Sequence, residues 1–185
     1  MKRIFIAADI SDDARKKAAR YVEDLRRAFP NLRVGWERPE KMHVTLRFVG
    51  DVNEKVLLEV QRAVEKAANS GGAFSAVLKD TGRFPPKGDP RILWLGTRDN
   101  GEMARIASAL DRELAPLGFK PEKRLFSPHL TIARLREPRL SAELASLHLQ
   151  THFEPVEFTV REIAIYESKL LPTGSVYSKI AAFQT

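Results

Sequence analysis

Apolar and polar positions along the chain switch between two periods, and the switches mark its elements. Arg3 to Ala8 alternate weakly and predict a strand. From Ser11 onward Ala14, Ala18, Val22, Leu25 and Phe29 recur at helical spacing, with Ser11 as the cap and Pro30 as the stop. His43 to Val49 is β-branched and alternating, a second strand. Asp51 and Glu54 form a capping-box pattern ahead of a helix with Val56, Leu57, Val60, Val64 and Ala67 on one face, ended by Ser70-Gly71-Gly72. Phe74 to Phe84 and Ile92 to Leu95 read as strands around the turn cluster Pro85 to Pro90. Met103, Ile106, Leu110 and Leu114 make another helical stripe, stopped near Pro116 and Gly118. A strand over His129 to Ala133, a short helix over Ser141 to Leu147 and strands over Val156 to Tyr166 and Val176 to Phe183 complete the pattern.

The pattern runs through the chain twice. Strand, helix, histidine strand, helix and strand follow one another from Arg3, and the same order can be read again from Ile92. His43-Val44-Thr45-Leu46 and His129-Leu130-Thr131-Ile132 share the form His-apolar-Thr-apolar and lie close to half a chain apart. Two like halves predict two lobes about an approximate two-fold axis. Strands joined by hairpin turns favour α+β architecture with antiparallel sheets.

Composition adds bounds. At 185 residues and 43% hydrophobic, the chain is long enough for one domain, or two small lobes sharing a core, and buries roughly 70% of its unfolded surface. There is no apolar run near the length of a membrane span, and the apolar stretch after Met1 is too short for a signal peptide and broken by Asp9. Absence of cysteine excludes disulfides, thiolate chemistry and cysteine-type zinc sites, and is permissive of a cytoplasmic location. The net charge of +7 fits either a solubility surplus or an anionic partner such as nucleic acid.

The repeated tetrapeptide decides between these. Residues i and i+2 of a strand share a face, so His43 points with Thr45 and His129 with Thr131, while Val44, Leu46, Leu130 and Ile132 point to a core. If the lobes face each other, two imidazoles and two hydroxyls meet in one groove. In-line hydrolysis of a phosphodiester needs a base on the attacking water and an acid on the departing oxygen. Imidazoles titrate in the right range for both tasks, and hydroxyls can donate to the non-bridging oxygens, with no metal required. The bland alternative is a pair of half-buried strand histidines that merely satisfy hydrogen bonds.

The stretches His43-Val44-Thr45-Leu46-Arg47-Phe48-Val49-Gly50 and Ser127-Pro128-His129-Leu130-Thr131-Ile132-Ala133-Arg134 resemble the paired motifs of the two-histidine (2H) phosphoesterase superfamily. Within it the chain is most similar to the bacterial and archaeal RNA 2′,3′-cyclic phosphodiesterases, historically called 2′-5′ RNA ligases. Arg3 to Ala7, Pro90 to Gly96 and Tyr166-Glu167-Ser168 extend the likeness over essentially the whole chain. The resemblance implies a bilobal α+β fold with a water-filled central cleft, formed by residues 1–185 as one domain. It implies metal-independent, cofactor-free hydrolysis of an RNA or nucleoside 2′,3′-cyclic phosphate to a 2′-phosphate. His43 would protonate the departing 3′ oxygen, His129 would take a proton from water, and Thr45 and Thr131 would hold the phosphate oxygens. An arginine after the second motif corresponds to Arg134. A monomer without membrane attachment is expected.

Strict alternation puts Arg134 on the face opposite His129, so it reaches the phosphate only if the strand ends or bulges first. Arg47 has the right parity on the first strand and is a second candidate, against the alternative of a solvated rim arginine. Arg33, Arg38, Lys41 and Arg47 near the first motif, with Lys120, Lys123, Arg124, Arg134 and Arg136 near the second, would make a basic rim for an RNA backbone, or only a generic basic surface. Trp36 and Phe48 can stack a base, although Phe48 shares parity with Leu46, which favours core packing. His148 and His152 lie four apart, a spacing that binds metal on a helix. No further ligand presents itself and the predicted helix ends between them, which favours surface histidines. Two rival functions remain. One is a non-catalytic RNA-binding module, which has no need of two opposed imidazoles. The other is a reversible 2′-5′ RNA ligase with a 5′-hydroxyl in place of water.

Overall fold

The computed structural model describes residues 1–69, 71–172 and 174–185, and the two sequence periods fold there as strands and helices. Strand β1 (Lys2–Asp9) leads to α1 (Asp12–Ala28), which Ser11 caps by accepting from the Ala14 amide at 3.2 Å. A short strand unmarked by the pattern, β2 (Val34–Trp36), precedes β3 (His43–Val52) and α2 (Glu54–Ala68). The cap of α2 is Asn53, whose side chain accepts from the Val56 amide at 2.9 Å, and not Asp51, which is still in β3. Ser70, part of the expected stop, lies outside the described residues. Then come β4 (Phe74–Phe84), β5 (Ile92–Arg98), α3 (Glu102–Leu114), β6 (His129–Leu135) and α4 (Ala142–Gln150). The expected strand from Val156 to Tyr166 is two strands, β7 (Val156–Val160) and β8 (Glu162–Leu171), and β9 (Gly174–Gln184) ends the fold.

All strand pairs are antiparallel, in the order β7-β4-β5-β6-β3-β1-β8-β9, with β2 on β6. The halves of this order are the lobes, and they are not the halves of the chain. One lobe joins β1 and β3 to the C-terminal β8 and β9, and the other is β4 to β7. The break at Arg161 explains the split strand, because β7 pairs with β4 while β8 crosses to pair with β1. Helices are exchanged too. α1 follows β1 but packs on β7 of the other lobe, and α3 follows β5 but packs on β3 and α2. The helical stripes and the inward strand residues, among them Val44, Leu46, Leu130 and Ile132, bury into one apolar cluster. No helix among the described residues is long and apolar enough to cross a membrane.

Candidate active site

The lobes meet where β3 runs antiparallel beside β6, and the ladder between them has one pair, Val44 opposite Leu130. Both of these side chains are buried in the core. Continuing the register of that one pair, Thr45 falls opposite His129 and His43 opposite Thr131. The four polar side chains therefore share the face away from the core, in a pattern that a two-fold rotation through the Val44–Leu130 pair exchanges. The motifs come together side by side on one seam between the lobes.

Each imidazole is held the same way. His43 Nδ1 lies 2.6 Å from the Lys41 carbonyl oxygen, and His129 Nδ1 lies 2.7 Å from the Ser127 carbonyl oxygen. A carbonyl only accepts, so both Nδ1 atoms carry a proton and both Nε2 atoms are left for chemistry. His43 Nε2 meets Thr45 Oγ1 at 3.1 Å.

Aromatic rings surround both groups. The His43 ring stacks on Phe5 at 4.8 Å between centroids and meets the edge of Tyr177 at 5.5 Å. His129 meets Phe84 edge-on at 5.0 Å and Trp94 at 6.1 Å. Trp94 packs flat because Gly82 faces it across the β4–β5 ladder, where a Cβ would come within 2.0 Å of the indole. These rings displace water and so penalise the charged imidazolium. Burial, aided by Arg134 and Arg15, lowers the His43 pKa to about 4 against the opposing Lys41 hydrogen bond and Asp9. Burial and Arg134 lower that of His129 against the Ser127 hydrogen bond. Asp9 sits opposite His43 on β1, where its carboxylate also accepts from Tyr166 Oη at 2.6 Å and Lys179 Nζ at 2.8 Å.

Two matching bulges decide what lies beyond the threonines. In β6, Thr131 pairs with Trp94 and Ala133 with Leu93, so Ile132 is an extra residue. In β3, Thr45 pairs with Ala7 and Arg47 with Ile6, so Leu46 is extra. Each bulge falls three residues after its histidine and turns two successive side chains inward, Ile132 with Ala133 and Leu46 with Arg47. Parity then flips. Arg134 emerges into the cleft, as a bulge allows. Phe48, its counterpart on β3, also lines the cleft and is 62% exposed, so the expected core packing is incorrect. Arg47 is not a phosphate candidate. Its side chain is 9% exposed, with Nε on Asp111 of α3 at 2.7 Å and Nη2 on the Lys120 carbonyl.

The cleft encloses about 370 Å³, with His43, Thr45, Thr131 and Arg134 in its lining. His129 is not among the lining residues and lies on β6 two residues before Thr131, which is. Of the expected basic rim, Lys41 and Arg134 line the cleft, and Arg38 and Arg136 stand in the groove beside it. Trp36 is in that groove as well, beyond the cleft. Arg33, Lys120, Lys123 and Arg124 line neither.

The histidines of α4 also need correction. The helix ends between them, but only His152 is at the surface, 3.4 Å from Glu154. His148 is fully buried, with Nδ1 2.9 Å from Tyr21 Oη and Nε2 3.0 Å from the Gly82 carbonyl and 3.1 Å from that of Trp94. It faces the core because the helix runs three residues past its expected end. Sequence reasoning missed Phe5, Glu37, Phe84, Tyr166 and Tyr177 as cleft or imidazole neighbours. The first of these was findable, since Phe5 and Asp9 share one parity on β1.

Comparisons with known proteins give the family and the fold. The family model described as the 2′-5′ RNA ligase superfamily matches residues 13–170. The RNA 2′,3′-cyclic phosphodiesterase of Thermotoga maritima is 33% identical over 95% of this chain and 91% of its own length. That of Methanothermobacter thermautotrophicus is 32% identical over 98% of both. A solved structure from Thermus thermophilus superposes with a TM-score of 0.79 at 26% identity, covering 98% of this chain and 97% of the other. E. coli LigT complexed with 3′-AMP gives 0.77 at 20% identity, covering 99% and 97%, a likeness of fold. With a seam that pairs two like motifs, and a family match across most of its length, the chain belongs to the 2′-5′ RNA ligase superfamily.

Proposed function

We propose that the chain hydrolyses RNA 2′,3′-cyclic phosphate ends, and nucleoside 2′,3′-cyclic phosphates, to 2′-phosphomonoesters by general acid–base catalysis between His43 and His129. The observation that carries this is the matched anchoring of the two imidazoles. Each gives its Nδ1 proton to the carbonyl two residues earlier, which leaves both Nε2 atoms for chemistry, His43 in the lining of the cleft and His129 on the strand beside it. Relatives named RNA 2′,3′-cyclic phosphodiesterase, similar over nearly the whole chain, support the substrate.

In the reaction the P–O bond to water forms and the P–O3′ bond breaks. His129 Nε2 takes the proton of the water and His43 Nε2 gives one to the departing 3′ oxygen. Exchange with solvent then restores the starting protonation. Thr45 and Thr131 donate to the non-bridging oxygens, and Arg134 adds a cation at the rim. The acid role is given to His43 on the family resemblance, and the Asp9 carboxylate paired with it across β1 favours its charged form against the larger effect of burial. Burial against Phe5 keeps His43 neutral in the free protein, so the bound phosphodiester anion has to help charge it. On this reading residues 1–185 act as one bilobal domain, a monomer in the cytoplasm, consistent with a cleft built from a single chain.

The test is substitution with two substrates. Replacing either histidine by Ala lowers kcat/KM on a ribose cyclic phosphate by about 10²–10⁴. On an aryl phosphodiester with a nitrophenolate leaving group, His43→Ala loses far less, because that oxygen hardly needs a proton, and His129→Ala loses as much as before. Rescue of His129→Ala instead means that acid and base are exchanged. A silent His129→Ala refutes the mechanism.

A further inference from the structure

The cleft does not end at Arg134. A groove of about 850 Å³, more than twice the volume of the catalytic cavity, continues from it between α1 and β2 and shares Glu37, Lys41, Arg134 and Tyr177 with the cleft. Its own walls carry Arg26, Arg38, Arg136 and Trp36. Five cations thus face two carboxylates. Glu23 is already shared between Arg26 at 4.0 Å and Arg27 at 3.4 Å. Glu37 is half-buried at the junction, and the burial raises its pKa against the pull of Arg134 and Lys41. Among the described residues, Arg38, Arg134 and Arg136 have no carboxylate within ion-pair distance. β2 pairs Gly35 with Arg134 and Trp36 with the buried Ala133, so Trp36 packs against the core beneath the groove.

Guanidiniums without a carboxylate partner, spaced along a groove, are the chemistry of a single-stranded nucleic acid track. The catalytic reading adds a direction. A cyclic phosphate occupies the 2′ and 3′ oxygens of the last ribose, so the rest of the polymer can leave only through the 5′ carbon. Resting on that reading, we propose that this groove seats the RNA strand immediately 5′ of the cyclic phosphate. Arg38 and Arg136 hold its backbone phosphates, and Arg26 lies at the outer end. The preferred substrate is then an oligoribonucleotide end and not a mononucleotide.

The experiment compares cyclic-phosphate substrates of one to four nucleotides. For the parent protein kcat/KM rises over the first two or three nucleotides. The double variant Arg38→Ala/Arg136→Ala flattens that rise and leaves the mononucleotide rate within about twofold. Two lost phosphate contacts also make the slope of log kcat/KM against log salt shallower by about 1.4 on the tetranucleotide. Equal parent rates on all lengths overturn the proposal, as does an equal loss on mononucleotide and tetranucleotide in the variant. If the parent hydrolyses no cyclic phosphate at all, the catalytic reading fails and the groove is judged separately. Parent and variant are then titrated with a labelled tetranucleotide ending in a 2′-phosphate. Weaker binding by the variant supports the groove, and equal binding overturns it.

Discussion

Replacing His148 by Leu removes the one polar side chain that ties α4 to the strands beneath His129. Its Nε2 proton is shared between the carbonyls of Gly82 and Trp94, and its Nδ1 accepts from Tyr21 Oη on α1. Leucine fills a similar volume but leaves these groups short of a partner. Tyr21 Oη keeps a contact to the His148 carbonyl at 3.3 Å. With about 1–3 kcal/mol for each buried group left unsatisfied, the loss is about 2–5 kcal/mol in all. At about 2–4 °C per kcal/mol for a chain of this size, Tm falls by roughly 4–20 °C. The loss has a pH signature. Burial lowers the His148 pKa below its value in the unfolded chain, against the two backbone hydrogen bonds that raise it. The unfolded state therefore binds more protons below about pH 6.5, and the contribution of the neutral imidazole is complete above that pH and fades as the pH drops toward the folded pKa. Scanning calorimetry of parent and variant from about pH 8 to about pH 5 shows the gap in Tm narrowing toward acid. A gap that widens means that the buried imidazole is charged, and a gap of zero at neutral pH means that the three contacts contribute nothing. Both results refute the reasoning. The kcat and KM below the transition stay near the parent values, since His148 reaches the cleft only through the backbone of Trp94.

Two further outcomes follow from the cleft. Both catalytic imidazoles titrate below 6.5 in the free protein, His43 at about 4, so the bell of kcat/KM peaks on the acid side of 6.5, while the bound anion raises both values and moves the kcat bell to higher pH; a kcat/KM optimum above about pH 7 contradicts the desolvation argument. Hydrolysis of a nucleoside 2′,3′-cyclic phosphate persists in excess EDTA, and a strict requirement for added Mg²⁺ or Mn²⁺ overturns the metal-independent mechanism.

The seam shows how a duplicated motif makes an asymmetric site. The anchors, threonines and bulges are repeated, and the residues that break the symmetry lie five positions after each histidine, Phe48 on one strand and Arg134 on the other. Asp9 breaks it again, because its counterpart opposite His129 is Gly96. On the proposed mechanism such differences give two chemically alike imidazoles separate duties.

The sequence by itself determined what local periodicity encodes. Alternation assigned Val44 and Leu130 to the core and the two His-x-Thr pairs to the other face, and the repeat implied that the pairs belong together. The stripes of the first three helices and the Ser11 cap were legible because a helix closes its hydrogen bonds within a few residues, while the cap of α2 fell on Asn53 and not on Asp51. Only the tertiary structure decided what depends on a partner strand. A bulge is a mismatch between two strands, so no single strand announces the extra residues Leu46 and Ile132, and with them went the facing of Arg47, Phe48 and Arg134. Burial of His148 required the surface of β4 and β5 beneath α4. The exchange of α1 and α3 between lobes, and the join of the C-terminal strands to β1, are long-range contacts that hydrophobic pattern cannot specify, because any apolar face satisfies it equally well.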